Sequence, residues 1–262
     1  MKLQLGRYIY GLAAIASSVI TLLWKQIHSL GSLSSPLILV FIVGIVELIG
    51  GLAILWEKTI KYGALILSAV YLIFTLYLVP PIFEMPLAYY NWGNFFEEFS
   101  IVIGGVIIFA STIRNNPERA AKIEIAAYRC FGICVISYSL YQLFYLSYTA
   151  NLVPTWLPPN QMFWAAATTI AFAVAAYAII SGRKSLLASR LVATMFIGFC
   201  LLVWFPVCFK NPFGITGWVS NAKTLAVAGS VWIVADFLSQ QKIVPHWMTF
   251  NRVSIEQREI TE

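Results

Sequence analysis

Charge is what this chain has least of. Only 11% of its 262 residues are Asp, Glu, Lys or Arg, against 60% hydrophobic, and the mean hydropathy is +0.80. A soluble domain of this length does not carry that balance, so the globular classes are excluded. Histidine is nearly absent: His28 and His246 are the two present, and they read as loop and tail residues on opposite sides of a membrane. They cannot share a haem or a metal. Cysteine numbers four, with no C-x-x-C. Cys130 and Cys134 stand at i, i+4, and Cys200 and Cys208 fall about 12 Å apart along one helix, too far for a disulfide. They read as small apolar core residues, and a thiol-redox centre is not expected. No H-E-x-x-H, G-x-G-x-x-G or Walker run occurs, which removes the zincin, dinucleotide and ATP-driven classes. No cofactor and no metal are expected. The net charge is +6, but the basic residues sit between apolar runs rather than on one stripe. Nucleic acid is therefore not an expected partner; the lipid bilayer is.

What is present is apolar sequence, in eight runs near Gly6–Trp24, Pro36–Trp56, Tyr62–Val79, Phe95–Ile113, Ile125–Leu146, Gln161–Ser181, Leu186–Pro206 and Ala222–Gln240. A bilayer takes about 20 such residues per helix. The predicted fold is an all-α polytopic bundle of eight transmembrane helices. The first run reads as the first span rather than a cleaved leader, and neither end carries a lipidation motif. Pro80-Pro81 is expected to end the third span. The polar tail, 241–262, is expected in the cytoplasm. Of the 17 Lys and Arg, only Lys25, Lys210 and Lys223 fall on one side. The rest, from Lys2, Arg7, Lys58 and Lys61 to Lys242, Arg252 and Arg258, fall on the other. The positive-inside rule then places both termini in the cytoplasm, in a plasma (inner) membrane. Trp24, Trp92, Trp156 and Trp218 mark the outer interface.

The second run, PLILVFIVGIVELIGGLAILW, holds a carboxylate near its centre. An acid at that depth costs roughly 2.5 kcal/mol or more and faces protein or a water-filled cavity. Gly44, Glu47 and Gly51 share one helix face. Glu47 reads either as part of a proton, solute or substrate site or as a protonated acid hydrogen-bonded between helices. Ser17 and Ser18 on the first span, and Ser68 and Tyr71 on the third, lie at its depth and are the expected partners. The other charges fall at span ends. Glu97, Glu98 and Lys223 are expected to pair near the outer side. Arg7 and Arg129 are expected to snorkel to headgroups, with Asp236 as a possible ion-pair partner for either.

The chain also repeats. WGNFFEEFSIVIGGVII from Trp92 compares with WVSNAKTLAVAGSVWI from Trp218, and Pro81 with Pro206, at an offset near 125 residues. Two units are read, 1–122 and 123–240, each of four spans. An even number keeps both pointing the same way, so they form parallel repeats about the membrane normal.

Arg7 with Gly11, GIVELIGGLAIL around Glu47, Tyr62-Gly63-Ala64-Leu65 and NFFEEFSIVIGG together resemble a DoxX-type four-helix membrane unit. The second half resembles a divergent copy, opened by Arg129 and Gly132 and closed by NAKTLAVAG at Asn221–Gly229. It departs where Glu47 should recur, since Phe172 lies there, and Glu98 takes the place of Lys223. The resemblance implies a DoxX-like accessory component of a membrane redox or stress system, with a membrane or redox partner protein. Two other classes stay open: a small-solute or proton carrier with Glu47 on the path, and a membrane-embedded enzyme using Glu47 as general acid on a lipid-soluble substrate. A polar cavity from Glu47 to one face favours the carrier, a pocket open to lipid the enzyme, and a solid bundle the accessory role.

Overall fold

The computed structural model describes residues 5–30 and 36–240. Lys2, Lys242, Arg252, Arg258, His246 and the polar tail lie outside them. Eight helices are long and apolar enough to cross a membrane, and no strand occurs among the described residues. We number them α1 (Leu5–Trp24), α2 (Leu37–Leu55), α3 (Ile60–Tyr77), α4 (Tyr89–Ser111), α5 (Pro117–Phe144), α6 (Gln161–Ser181), α7 (Ser185–Phe199) and α8 (Ile215–Gln240). Hydrocarbon offers no partner for a bare N–H or C=O, so an apolar run in lipid satisfies its backbone as a helix.

Three spans begin earlier than hydropathy suggests. α5 starts at Pro117 because Asn116 caps it, its Oδ1 accepting the Arg119 N–H at 2.9 Å, and a Glu118–Lys122 pair at 2.6 Å supports the first turns. α4 and α8 start at Tyr89 and Ile215, and their polar first turns belong to the helix. At the other end of the bundle, Trp92 Nε1 donates to the Pro86 carbonyl and Trp218 Nε1 to that of Pro212, each at 3.0 Å.

The third span breaks at the proline pair, as expected, but the chain stays helical beyond it. α3 stops at Tyr77, and a new helical segment, Val79–Glu84, restarts with the prolines in its first turn, where their missing N–H groups had no partner to lose. In α7 the corresponding stretch does something else. Cys200–Trp204 is a π-helical turn in which the Phe205 N–H bonds the Cys200 carbonyl, and the helix then runs on through Phe205–Lys210. A π turn is one residue inserted into an α-helix.

Each span packs on the next, and the ring closes where α8 lies against α1. α4 and α8 also touch across the middle and are the two most buried spans. The closure at α1–α8 is backbone on backbone. A Cβ on Gly6 would stand 2.5 Å from the Ile233 nitrogen, and one on Gly229 would stand 2.6 Å from that of Tyr10. Only glycine lets the two axes approach this far. The Gly6 N–H also donates to the Asp236 carboxylate at 3.2 Å, so both ends of the described chain lie together.

The two halves bury the same register. Val40, Gly44, Glu47, Gly50, Gly51 and Ile54 are the buried positions of α2, and a shift of 125 carries them onto Ala165, Thr169, Phe172, Ala175, Ala176 and Ile179, the buried positions of α6. The same shift takes Ile60, Gly63, Ala64, Leu67 and Tyr71 of α3 onto Ser185, Ala188, Ser189, Val192 and Phe196 of α7. Beyond the π turn the shift grows by the one inserted residue: Pro80 meets Pro206, Pro86 meets Pro212 and Trp92 meets Trp218. On this register Glu97, not Glu98, takes the place of Lys223, and Pro80, not Pro81, that of Pro206.

Candidate functional site

Glu47 is 1% exposed and faces the interior of the first half. Tyr71 of α3 donates its hydroxyl to Glu47 Oε1 at 2.8 Å, and Ser17 of α1 also reaches the carboxylate. Two hydroxyls therefore meet the acid from both flanking helices. Tyr71 is itself held edge-on by Tyr10 and Phe74, with ring centroids 6.2 and 6.1 Å away. Ser18 and Ser68 are buried, but neither hydroxyl has a hydrogen-bond partner among the described residues. Beside Glu47 is a cavity of about 20 Å³ bounded by Ser17, Ile20, Thr21, His28 and Phe74. It holds about one water-sized molecule and no substrate.

The second half is built differently at the same positions. Phe172 and Phe196 stand where Glu47 and Tyr71 stand, their ring centroids 5.5 Å apart. Next to them opens a cavity of about 590 Å³, within the roughly 300–1,000 Å³ of small-molecule sites. Its deep wall is Phe172, Met195, Phe196 and Phe199, and its side is Tyr138, Tyr141 and Gln142 of α5. The connector from Tyr148 to Leu157 covers one end, and the π turn contributes Leu202, Val203 and Trp204. A shift of 121 takes buried Gly6, Tyr10, Gly11, Ala13 and Ala14 of α1 onto buried Ala127, Phe131, Gly132, Cys134 and Val135 of α5. With it, Ser17, Ile20 and Thr21 match Tyr138, Tyr141 and Gln142, while the shift of 125 matches Glu47 and Phe74 to Phe172 and Phe199. His28 and Val219 line both cavities and form the partition between them.

One edge of the large cavity is charged. Lys223 Nζ lies 3.1 Å from Glu98 Oε2 and 3.2 Å from Glu97 Oε2. Glu98 is 2% exposed, whereas Glu97 and Lys223 keep part of their side chains open to the cavity. The cluster is deeper than its expected place at the span ends. Glu98 and Lys223 both lie roughly 13 Å inside their helices at about 1.5 Å per residue. Taking such charges from water is costly unless they pair, and here two acids share one ammonium. Gln142 Oε1 accepts from Thr168 and Thr169, each at 3.1 Å. The Tyr138 hydroxyl is buried and reaches Ser100 of α4. His28, outside the spans, has its pKa lowered by desolvation on its cavity side and then by the charge of Lys223.

At the end of the bundle that holds the chain ends, the sequence expectations are corrected. Arg7 does not snorkel. It is 2% exposed, its Nη2 donates to Tyr8 Oη at 3.0 Å, and its guanidinium lies over the Tyr8 ring. No salt bridge joins it to Asp236 among the described residues, because Asp236 is turned to the Gly6 N–H and feels the charge of Arg190 instead. All four cysteines are free. Among the described residues no group of three His, Cys, Asp or Glu converges as metal ligands.

The large cavity was the part that sequence reasoning missed. Its one visible signal was Phe172 in the place of an acid. In comparisons with known proteins, no family model, no curated protein and no solved structure matches the chain.

Proposed function

We propose that this integral membrane protein binds a lipid-soluble, amphipathic small molecule in the cavity of its second half, as a carrier or receptor. One observation carries the reading: a 590 Å³ space with a largely aromatic and aliphatic wall and a charged cluster at one edge. A solid bundle would have supported the accessory role that the DoxX-like resemblance implies. A cavity of this size supports binding. Glu47, whose own cavity takes one water-sized molecule, is given a positioning role between α1, α2 and α3 rather than a place on a path or in an acid–base step.

The scaffold is read as two parallel four-span units, and DoxX-like identity stays a proposal resting on the residues quoted for it. Support for the repeat comes from the shared buried register and from the middle of the molecule. Glu97 pairs with Lys223, and a Cβ on Gly104 would stand 2.5 Å from Ser230 Oγ. Both are counterpart pairs, and a position meets its own counterpart only beside a two-fold axis.

Gly198 tests the binding reading. It lines the cavity, and a Cβ added there meets nothing within 4 Å. Gly198→Leu fills the space and gains roughly 1 kcal/mol of helix propensity. A photoactivatable long-chain amphiphile is expected to label wild-type peptides spanning Tyr138 to Trp204, and the variant is expected to stay folded and lose that label. Equal labelling of wild type and variant would refute the reading.

A further inference from the structure

We infer that the ligand of the large cavity is a lipophilic cation, a protonated amine on an apolar body, whose ammonium group sits between Glu97 and Tyr138 and whose body lies among Phe172, Phe196 and Phe199. This rests on the cavity being a binding site and names the chemistry it selects.

Charge balance is the first ground. Two carboxylates, Glu97 and Glu98, face the single ammonium of Lys223 at 3.2 and 3.1 Å. With both carboxylates ionised the group carries one surplus negative charge at the cavity edge, where a charge without a partner is expensive. Glu98 is enclosed, so the surplus is offered to a ligand by Glu97, which lines the cavity. An anionic head would meet both acids, with the one nearby cation already shared between them. A neutral head would leave the surplus in place. His28 is the remaining titratable side chain on this wall that could carry a positive charge, and Lys223 disfavours its protonation.

The second ground is independent of charge. Tyr138 is 7% exposed and lines the cavity, and its hydroxyl reaches Ser100, whose own proton goes to the Glu97 carbonyl, so the Tyr138 oxygen keeps its lone pairs. The Glu97 carboxylate and the Tyr138 oxygen are acceptors at this edge, and an alkylammonium, with three donors and no acceptor, suits both. Tyr141 and Trp164 add aromatic faces to the same wall, and a desolvated cation is attracted to such faces.

The experiment compares three probes with the same chain and different heads: dodecylammonium, dodecanol and dodecanoate. Each is titrated calorimetrically at neutral pH into the full-length protein in maltoside micelles, with the Gly198→Leu protein in the same micelles as the blank for partitioning. Dodecylammonium is expected to bind about tenfold more tightly than dodecanol, and dodecanoate more weakly than either. Glu97→Gln is expected to abolish the preference for the amine while dodecanol still binds. Tyr138→Phe, which removes this oxygen, is expected to weaken the amine about threefold and leave dodecanoate unchanged. Dodecanol or dodecanoate binding the wild type as tightly as the amine would overturn the inference and leave the cavity reading standing. An amine preference that survives both substitutions would overturn the assignment to Glu97 and Tyr138. If none of the three binds the folded wild type above the blank, the cavity reading itself fails.

Discussion

The two halves place the same side-chain positions around the same kind of space and fill them in opposite ways. In the first, Glu47 and Tyr71 draw α2 and α3 together through a 2.8 Å hydrogen bond, and what remains is a cavity for one small molecule. In the second, Phe172 and Phe196 meet ring to ring, and α7 takes a π turn where α3 has none. A cavity nearly thirty times larger results, about 590 against 20 Å³. The comparison teaches that a buried polar pair can act as a clasp. Without the directional bond and with one extra residue in the wall, the same packing register leaves a pocket.

Exchanging the pairs is the harshest way to break this comparison. Phe172→Glu places an acid among the rings of Tyr138, Phe196 and Phe199, and it is expected to cost about 3 kcal/mol or more. Adding Phe196→Tyr rebuilds the first-half pair and is expected to return at least about 1 kcal/mol. Unfolding midpoints in mixed micelles read both. A double variant no more stable than Phe172→Glu alone would show that the two sites are not equivalent.

Glu47→Leu works from the other side and is expected to cost about 2 kcal/mol, since Tyr71 loses its acceptor in a closed site. Glu47→Gln keeps an acceptor and is expected to cost less than about 1 kcal/mol. Similar losses for both would argue that shape rather than the hydrogen bond holds α2 to α3.

The smallest expected effect sits on the partition. His28 has a lower pKa in the folded protein than in the unfolded chain. Its neutral form therefore contributes stability in full above about pH 6.5, and that stability is lost as pH falls through the unfolded value toward the folded one. Because one side of the ring is exposed, solvent screening keeps the effect small. His28→Gln is expected to flatten the acid limb of the stability profile of the folded bundle. An unchanged acid limb would assign it to other groups.

Much of the fold was legible because lipid permits a helical run little else. The contact between Glu47 and Tyr71 was legible for a related reason, since few hydroxyls exist at that depth. Other features left no mark on hydropathy. The residue inserted at Cys200–Trp204 sits in an apolar run, and one more apolar residue there changes nothing a hydropathy reading can see. Arg7 looked like a headgroup anchor because its burial depends on α8, more than 200 residues away in sequence. The depth of Glu98 and Lys223 was underestimated because polar residues were read as the start of a loop, whereas pairing let both helices carry them inward.

The hydrogen bond from Gly6 to Asp236 joins residues 230 positions apart, and this has a consequence for how the protein is made. On a ribosome α1 is made before α8, so the face bearing Gly6 and Tyr10 has no α8 to meet until about 230 residues later. At roughly 5–20 residues per second, the wait is on the order of ten to fifty seconds. Throughout that interval the glycine face of α1 is open to lipid, to the insertion machinery or to the first helix of another copy. Of the eight described spans, the one made latest is the one that closes the ring.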